Sequence, residues 1–393
     1  MNNLNKLLAM RNFLFIIFLF FFTVLAAQNY NEPKSYSVSG YVSSMQETTF
    51  DSISKQWAVS NLIHNRLNFK YSPAKIIDFD LELRNRLSFE ENEKAMQQTK
   101  NTFSTDNGFI NLSKNIASGK SYVLNMAVDR MYMALHGTSF TLTLGRQRIN
   151  WSQTLVWNPN DIFNTYSFFD FDYIERSGSD ALRFQYYNSP VSSTEWAIKL
   201  NNEKKITTAA LYKFNTFEYD FQVLGGLLNS QDYVLGGGWS GAIKHIAFRG
   251  ELSYFHPKEK FSDTTGVFLA SVSCDYTFGN SFMLLAEYLY NSSTPRLNTS
   301  FLNFYSVPTT VKNLSIAKHN VVIQANYPIT PLLSSSLACM FLPGVNGIYI
   351  SPSLSYSLSQ NFDASFYYQA FNGEIADTHF RINMLYLRLK ASF

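Results

Sequence analysis

The sequence predicts an all-β fold: a transmembrane antiparallel β-barrel of about 18 strands, with about 16 as the alternative. Three observations carry it. Apolar and charged residues alternate in stretches of about ten residues, about 13 in the clearest, longer than the five or six usual for a globular strand. The links between those stretches alternate between short turns and long polar segments. Aromatic residues make up 16% of the chain, with 24 Tyr and 35 Phe, yet no stretch beyond residue 27 is apolar enough for a spanning helix.

The clearest strand runs from Ile77 to Phe89. Ile77, Phe79, Leu81, Leu83, Leu87 and Phe89 alternate with Asp78, Asp80, Glu82, Arg84, Arg86 and Ser88. The strand before it sets Ile63, Leu67, Phe69 and Tyr71 against His64, Arg66, Asn68 and Lys70. A period of two puts each set on its own face. In a membrane barrel the apolar face meets lipid and the charged face lines a wet interior. His64, Arg66, Lys70, Asp78, Asp80, Glu82, Arg84, Arg86 and, on a later strand, Arg183 are therefore the expected lumen-lining residues. Later stretches repeat the pattern: Phe217 to Val223, Ile246 to Tyr254, Ile348 to Leu358 and Leu385 to Phe393. In Phe282 to Tyr290 the opposite face is blurred by Met283, Leu285 and Leu289. The Gly-rich piece from Gly236 to Gly241 is ambiguous and leaves the strand count open.

Short links fall near Ser72-Pro73, His136-Gly137, Ser189-Pro190, Asn215-Thr216, Gly279-Asn280, Pro328 to Pro331 and Gln360-Asn361. Longer ones span Glu90 to Lys120, Arg146 to Ser179, His256 to Thr265 and Asn291 to Leu314. Short periplasmic turns and long outer loops are the pattern of a bacterial outer-membrane barrel, whose closure leaves no backbone group unpaired in lipid. The loop from Glu90 to Lys120 reads as polar and solvated.

The first 27 residues read as a cleaved signal peptide. Lys6 and Arg11 precede an apolar core from Phe13 to Leu25, and Ala26-Ala27 offers a cleavage site before Gln28. Residues 28–393 then form one barrel domain, delivered to the outer membrane. No cysteine follows the apolar run to carry a lipid anchor. Cys274 and Cys339 fall on apolar strand faces and are expected to stay unpaired. The chain carries 32 basic and 29 acidic side chains. This near balance argues against nucleic acid as a partner.

Within that frame one stretch breaks the repeat. Leu142 and Leu144 alternate with threonines, then Arg146 and Arg148 fall on the apolar face, so the strand must bulge, end or turn inward. About 30 residues rich in aromatics and charge follow, with a turn at Asn158-Pro159-Asn160-Asp161. Such a loop needs an enclosure to fold into. Folded inward, it would set Arg146, Arg148 and Arg176 against Asp161, Asp170, Asp172 and Glu175, as opposed charge rings that select solutes. The same charges could instead pair among themselves and brace the loop on the wall. Trp151 and Trp157 belong to this loop, and Phe168, Phe169, Phe171 and Tyr173 read as loop-to-wall packing rather than a sugar slide.

The run Gly145-Arg146-Gln147, then Trp151, then Asn158-Pro159 and Asp161, resembles a signature of Gram-negative porin-like outer-membrane families. There a GRQ strand end precedes a Trp and an NPxD turn, usually with Gly after the Trp, where this chain has Ser152. The resemblance implies a passive channel for small hydrophilic solutes, with no cofactor and no metal. Phe393 resembles the C-terminal aromatic that such barrels present to the barrel assembly machinery. Self-association into a homo-oligomer stays open. Two rival functions also stand: a barrel enzyme of lipase or protease type, and a surface or assembly barrel binding a partner through its outer loops. The six histidines show no nucleophile or metal spacing such as HExxH.

Overall fold

Alternation at period two produces long hydrogen-bonded strands with chemically distinct faces, and the computed structural model joins them into one closed sheet. It describes residues 35–51, 57–166, 168, 175–176, 178–259, 261–294, 309–375 and 378–393; the leader lies outside them. The strands are β1 (Tyr36–Phe50), β2 (Ala58–Ala74), β3 (Ile77–Glu90), β4 (Ser113–Ser118), β5 (Tyr122–His136), β6 (Phe140–Gln147) and β7 (Ser179–Ser189). Next come β8 (Ser192–Leu200), β9 (Ile206–Thr216), β10 (Tyr219–Leu228), β11 (Asp232–Ile243), β12 (Ile246–Pro257) and β13 (Val267–Thr277). The circuit ends with β14 (Met283–Asn291), β15 (His319–Pro328), β16 (Leu333–Leu342), β17 (Gly347–Ser359), β18 (Phe362–Ile375) and β19 (Thr378–Ser392).

Each strand pairs antiparallel with its neighbours, and β1 pairs with both β2 and β19, which closes the ring. The short β4 pairs only with the first part of β5, beyond the reach of β6, while β3 pairs with β5 directly. The wall therefore has 18 strands. The Gly-rich piece is an ordinary wall strand, β11. At the seam, the Phe393 and Gly40 backbones exchange two hydrogen bonds of 2.9 and 3.0 Å.

All the turns expected to be short lie on the rim that carries both ends of the described barrel, and all the long connections lie on the other rim. Two turn positions differ from expectation. Ser72-Pro73 sits in a bulge near the end of β2, and the chain reverses at Lys75-Ile76. Asn215-Thr216 still belongs to β9; the turn is Phe217-Glu218, both at positive φ. Such left-handed pairs match the strand twist of a two-residue hairpin. The Glu90 to Lys120 segment is more than solvated loop. It forms β4 and a helix, α1 (Glu93–Ser104), whose N-cap Asn92 accepts from the Lys94 and Ala95 amides. Its Met96 is fully buried, and the Arg86 guanidinium lies over its Phe103 ring.

The outer face of the wall is an exposed apolar band that includes Phe69, Leu144, Trp196, Tyr233, Leu235 and Leu387. Rings stack near the short-turn rim, as in Tyr71 on Phe79 and Phe214 between Tyr212 and Phe221. An apolar surface this wide belongs in hydrocarbon, with aromatics at its edges. Cys274 and Cys339 are both free, on outward positions of β13 and β16.

Candidate functional site: the inner loop and the charged wall

The inside of the barrel divides into two unlike halves. From β9 round to β18 the inward positions include Leu211, Leu224, Phe255, Leu269, Leu285, Leu289, Val322, Met340 and Phe371, all buried. Against them packs the β6–β7 loop through Ile149, Trp151, Val156, Trp157, Ile162 and Phe163. Val311, Ile316 and Ala317, from the β14–β15 connection, join the same cluster. The apolar inner residues that blur the alternation in β14 are thus the floor on which the loop sits.

Polar contacts fix the first part of the loop to the wall. Trp151 is fully buried, meets Phe163 edge-on at 4.9 Å and donates its indole N–H to Glu195 on β8 at 2.6 Å. Gln222 on β10 donates to the Trp151 carbonyl at 2.7 Å. Glu251 on β12 accepts the backbone N–H groups of Gln153, Thr154 and Asn160, the last two at 2.8 and 2.9 Å. Glu287 on β14 accepts those of Leu155, Val156 and Trp157 at 3.1, 3.0 and 2.6 Å. The Asn158–Asp161 turn forms, with the Asp161 N–H on the Asn158 carbonyl at 3.1 Å. Asn160 reaches the Gly237 carbonyl at 2.8 Å, above Gly236 and Gly238, where a Cβ would intrude.

Beyond that turn the described residues of the loop touch both halves of the interior. Phe168 packs edge-on to Tyr349 of β17 at 6.2 Å, as loop-to-wall packing. The Glu175 carboxylate accepts from Tyr41 of β1 at 3.3 Å, and its carbonyl accepts from Arg130 of β5 at 2.7 Å. Asp170, Asp172, Phe169, Phe171 and Tyr173 lie outside the described residues.

The other half of the interior, on β2, β3 and β5, is charged. His64, Arg66, Lys70, Asp78, Asp80, Glu82, Arg84 and Arg86 alternate with the apolar residues of β2 and β3 and share one face of those strands. Several are tied down, which strand pattern alone could not reveal. Arg66 is 1% exposed and pairs with Glu82 and, at 2.6 Å, with Asp129. Arg84 reaches the same Asp129 at 3.2 Å, and Arg130 reaches Glu82 at 2.9 Å. Sequence reading missed Asp129 and Arg130. They sit at a register shift in β5, opposite Glu82 and Leu83, which breaks the alternation for one residue. Nearer the short-turn rim, Asp78 pairs with Lys70 at 3.5 Å and lies 3.1 Å from His136. Arg183 of β7 is bidentate to Glu195, both bonds at 2.7 Å.

Arg146 takes the bracing role of the two left open by the sequence, with partners Asp106 and Asp180 in place of the loop acids. It is 6% exposed, and all five guanidinium N–H groups are taken: two by Asp180, one by Asp106, and two by the Val128 and Ile110 carbonyls. Gly145, at φ +121°, carries the strand into this position. The residue pins the α1–β4 insertion to the root of the inner loop. Arg148, two residues on, makes no ion pair among the described residues and is half-buried near Arg176, Arg130 and Asp161. Burial first, and then the neighbouring Arg176, pull its pKa down. Asp161 is 1% exposed, and burial pushes its carboxyl up to about 6 against the pull of Arg148 and Arg176. The Arg176 guanidinium lies over the Tyr166 ring. Above the loop, at the long-connection rim, a cavity of about 580 Å³ is lined by Asp106, Asp129, Phe163, Lys199 and Lys312 among others.

No family model matches this chain, and no curated protein matches it. Solved structures do match. OccAB1 of Acinetobacter baumannii superposes with a TM-score of 0.56 at 10% identity, covering 93% of this chain and 98% of that one. The outer membrane protein opdK of Pseudomonas aeruginosa gives 0.57 at 8% identity, covering 91% and 98%. OccK11 (OpdR) of the same organism gives 0.56 at 11% identity, covering 91% and 96%. The fold is that of an outer-membrane β-barrel. At such identities the likeness extends to architecture alone, so the chemistry of the interior has to be read from this chain.

Proposed function

We propose that this protein is a bacterial outer-membrane channel for passive diffusion of small hydrophilic solutes. The observation that carries the reading is the division of the interior. The inner loop is packed on the apolar wall, so solutes would pass along the charged wall of β2, β3 and β5. There Arg84 and Arg130, braced by the buried Arg66, Glu82 and Asp129, stand with the loop residues Arg148, Arg176 and Glu175, and the buried Asp161 lies beside them. Opposed fixed charges in a confined passage orient dipolar solutes and set ion preference. A barrel of this strand number is wide enough for an aqueous lumen beside such a loop.

The same reading includes export by the leader over residues 1–27, cleavage before Gln28 and insertion by the barrel assembly machinery acting on the strand that ends at Phe393. Self-association in the membrane is a further part of the same proposal. Planar-bilayer recording of the purified barrel tests the core of the proposal. Steady ohmic steps are expected; electrically silent insertion of correctly folded protein would overturn it in favour of an enzymatic or surface role.

A further inference from the structure

An irregular loop inside a barrel has to satisfy its backbone. Strands pair their own N–H groups, but residues 153–160 belong to no strand, and Val156 and Trp157 among them share the apolar cluster of Leu224, Leu285, Leu289 and Phe255. Those side chains accept no hydrogen bonds, and a buried amide without a partner is strongly unfavourable. Two carboxylates supply the acceptors. Glu287 stands between Leu285 and Leu289 on the inner face of β14 and is 2% exposed; Glu251 on β12 is fully buried. Each accepts three loop amides. Glu287 also accepts the Ser271 hydroxyl at 2.9 Å. Among the described residues neither is paired with a cation.

Successive amides converging on one point form a backbone nest, which binds anions through aligned N–H dipoles. Residues 155–157 form one such nest, and residues 153 and 154 with 160 form another. A bond from N–H to a charged carboxylate is roughly twice as strong as a neutral one. We infer that Glu251 and Glu287 are positioning residues. They act as tethered anions in two backbone nests, hold the loop against the dry wall and thereby set the width of the passage without touching the solute. The inference rests on the channel reading for its effect on the passage; the anion nests themselves do not depend on it.

The test uses the full-length barrel carrying Glu251→Ala and Glu287→Ala together. Hydrogen exchange of the peptide covering 153–160 is expected to speed up by roughly tenfold or more, and the conductance steps to become variable. Millimolar acetate, a free carboxylate small enough to enter an emptied nest, should slow the exchange again and restore steady steps. The isosteric pair Glu251→Gln and Glu287→Gln keeps the shape without the charge and should fall between wild type and the alanine variant. Unchanged exchange in the alanine variant, or faster exchange that acetate slows no more than chloride does, would overturn the inference. A variant that fails to insert is replaced by the glutamine pair with the same readouts. Because exchange is measured without ion flow, a barrel that conducts nothing in any form would sink the channel reading and leave the nests standing.

Discussion

Arg146 and Asp180 face one another across the β6–β7 pair and are joined by two hydrogen bonds of 2.6 and 3.0 Å, with Asp106 closing the same guanidinium at 2.7 Å. Three parts of the chain meet there: the strand end, the root of the inner loop and the insertion bearing α1. Removing one partner of a buried pair leaves an uncompensated charge, at about 3–5 kcal/mol. Arg146→Gln should therefore loosen the outer insertion and lower the temperature of heat-modified gel migration. Its guanidinium has no free N–H, so ion selectivity should stay close to wild type. A large selectivity shift in a well-folded Arg146→Gln barrel would show that this arginine reaches the passage after all.

Arg148 makes the opposite case. It carries no ion pair among the described residues and sits with Arg176 and Arg130 around Asp161. In a confined passage its charge is screened less than on an open surface. Arg148→Gln should lower anion permeability relative to cations in reversal-potential measurements, with little change in stability.

Asp161 gives that cluster a pH dependence. Its carboxyl is raised to about 6, chiefly by burial, so it is ionised above that pH and neutral below. Falling pH removes a negative charge from beside Arg148 and Arg176, whose guanidinia remain protonated. The anion-to-cation permeability ratio is expected to rise as pH drops through about 6, and Asp161→Asn should show the acid-side value at every pH. A ratio flat from pH 5 to pH 7 would remove Asp161 from the permeation path.

The two faces of β3 should respond differently to charge. Leu81 points outward, into the apolar band. Arginine there should destabilise the barrel by about 2–4 kcal/mol near mid-membrane. Asp80→Asn, on the inner face, should leave stability nearly unchanged and alter selectivity. Glu82 is a poor control for this comparison, because it pairs with Arg66 and Arg130 and its replacement would strand both. Equal destabilisation by Leu81→Arg and Asp80→Asn in urea titrations would contradict the assignment of faces.

The wall was legible in the sequence because one rule, alternation at period two, governs every strand and both faces of it. Link lengths then fixed which rim is which. The interior was legible only where it stays polar. Leu285 and Leu289 looked like noise in the pattern of β14, yet they mark the dry floor under the loop, and the lone Glu287 between them marks its anchor. The bracing partners of Arg146, Asp106 and Asp180, were not legible because they lie 40 and 34 residues away in sequence. Only the fold brings them together. Asp129 and Arg130 escaped notice because one register shift turns two successive residues inward. The helix α1 was missed because a short polar amphipathic segment inside a long loop carries little periodic signal.

The glycines of β11 allow the docking of the loop to be tested without touching a charge. Gly236 faces inward beneath the Asn158–Asp161 turn. A Cβ there would lie 2.7 Å from the Asn160 side-chain oxygen, 2.9 Å from the Ser253 hydroxyl and 3.0 Å from Leu224. The adjacent Gly237 faces outward, where a Cβ meets only the Gln222 carbonyl, at 3.4 Å. Valine favours a pleated strand, so β propensity alone predicts that both substitutions stabilise β11. Packing predicts that they part. Gly236→Val should push Asn160 off its wall contacts, cost about 1–3 kcal/mol in overpacking and release the turn into the passage. Gly237→Val should be neutral or slightly stabilising and leave the conductance at its wild-type level. Single-channel records of the two variants would separate them directly. Matching behaviour would mean that the loop does not rest on β11, and the close approach of its backbone to the wall would lose its functional meaning.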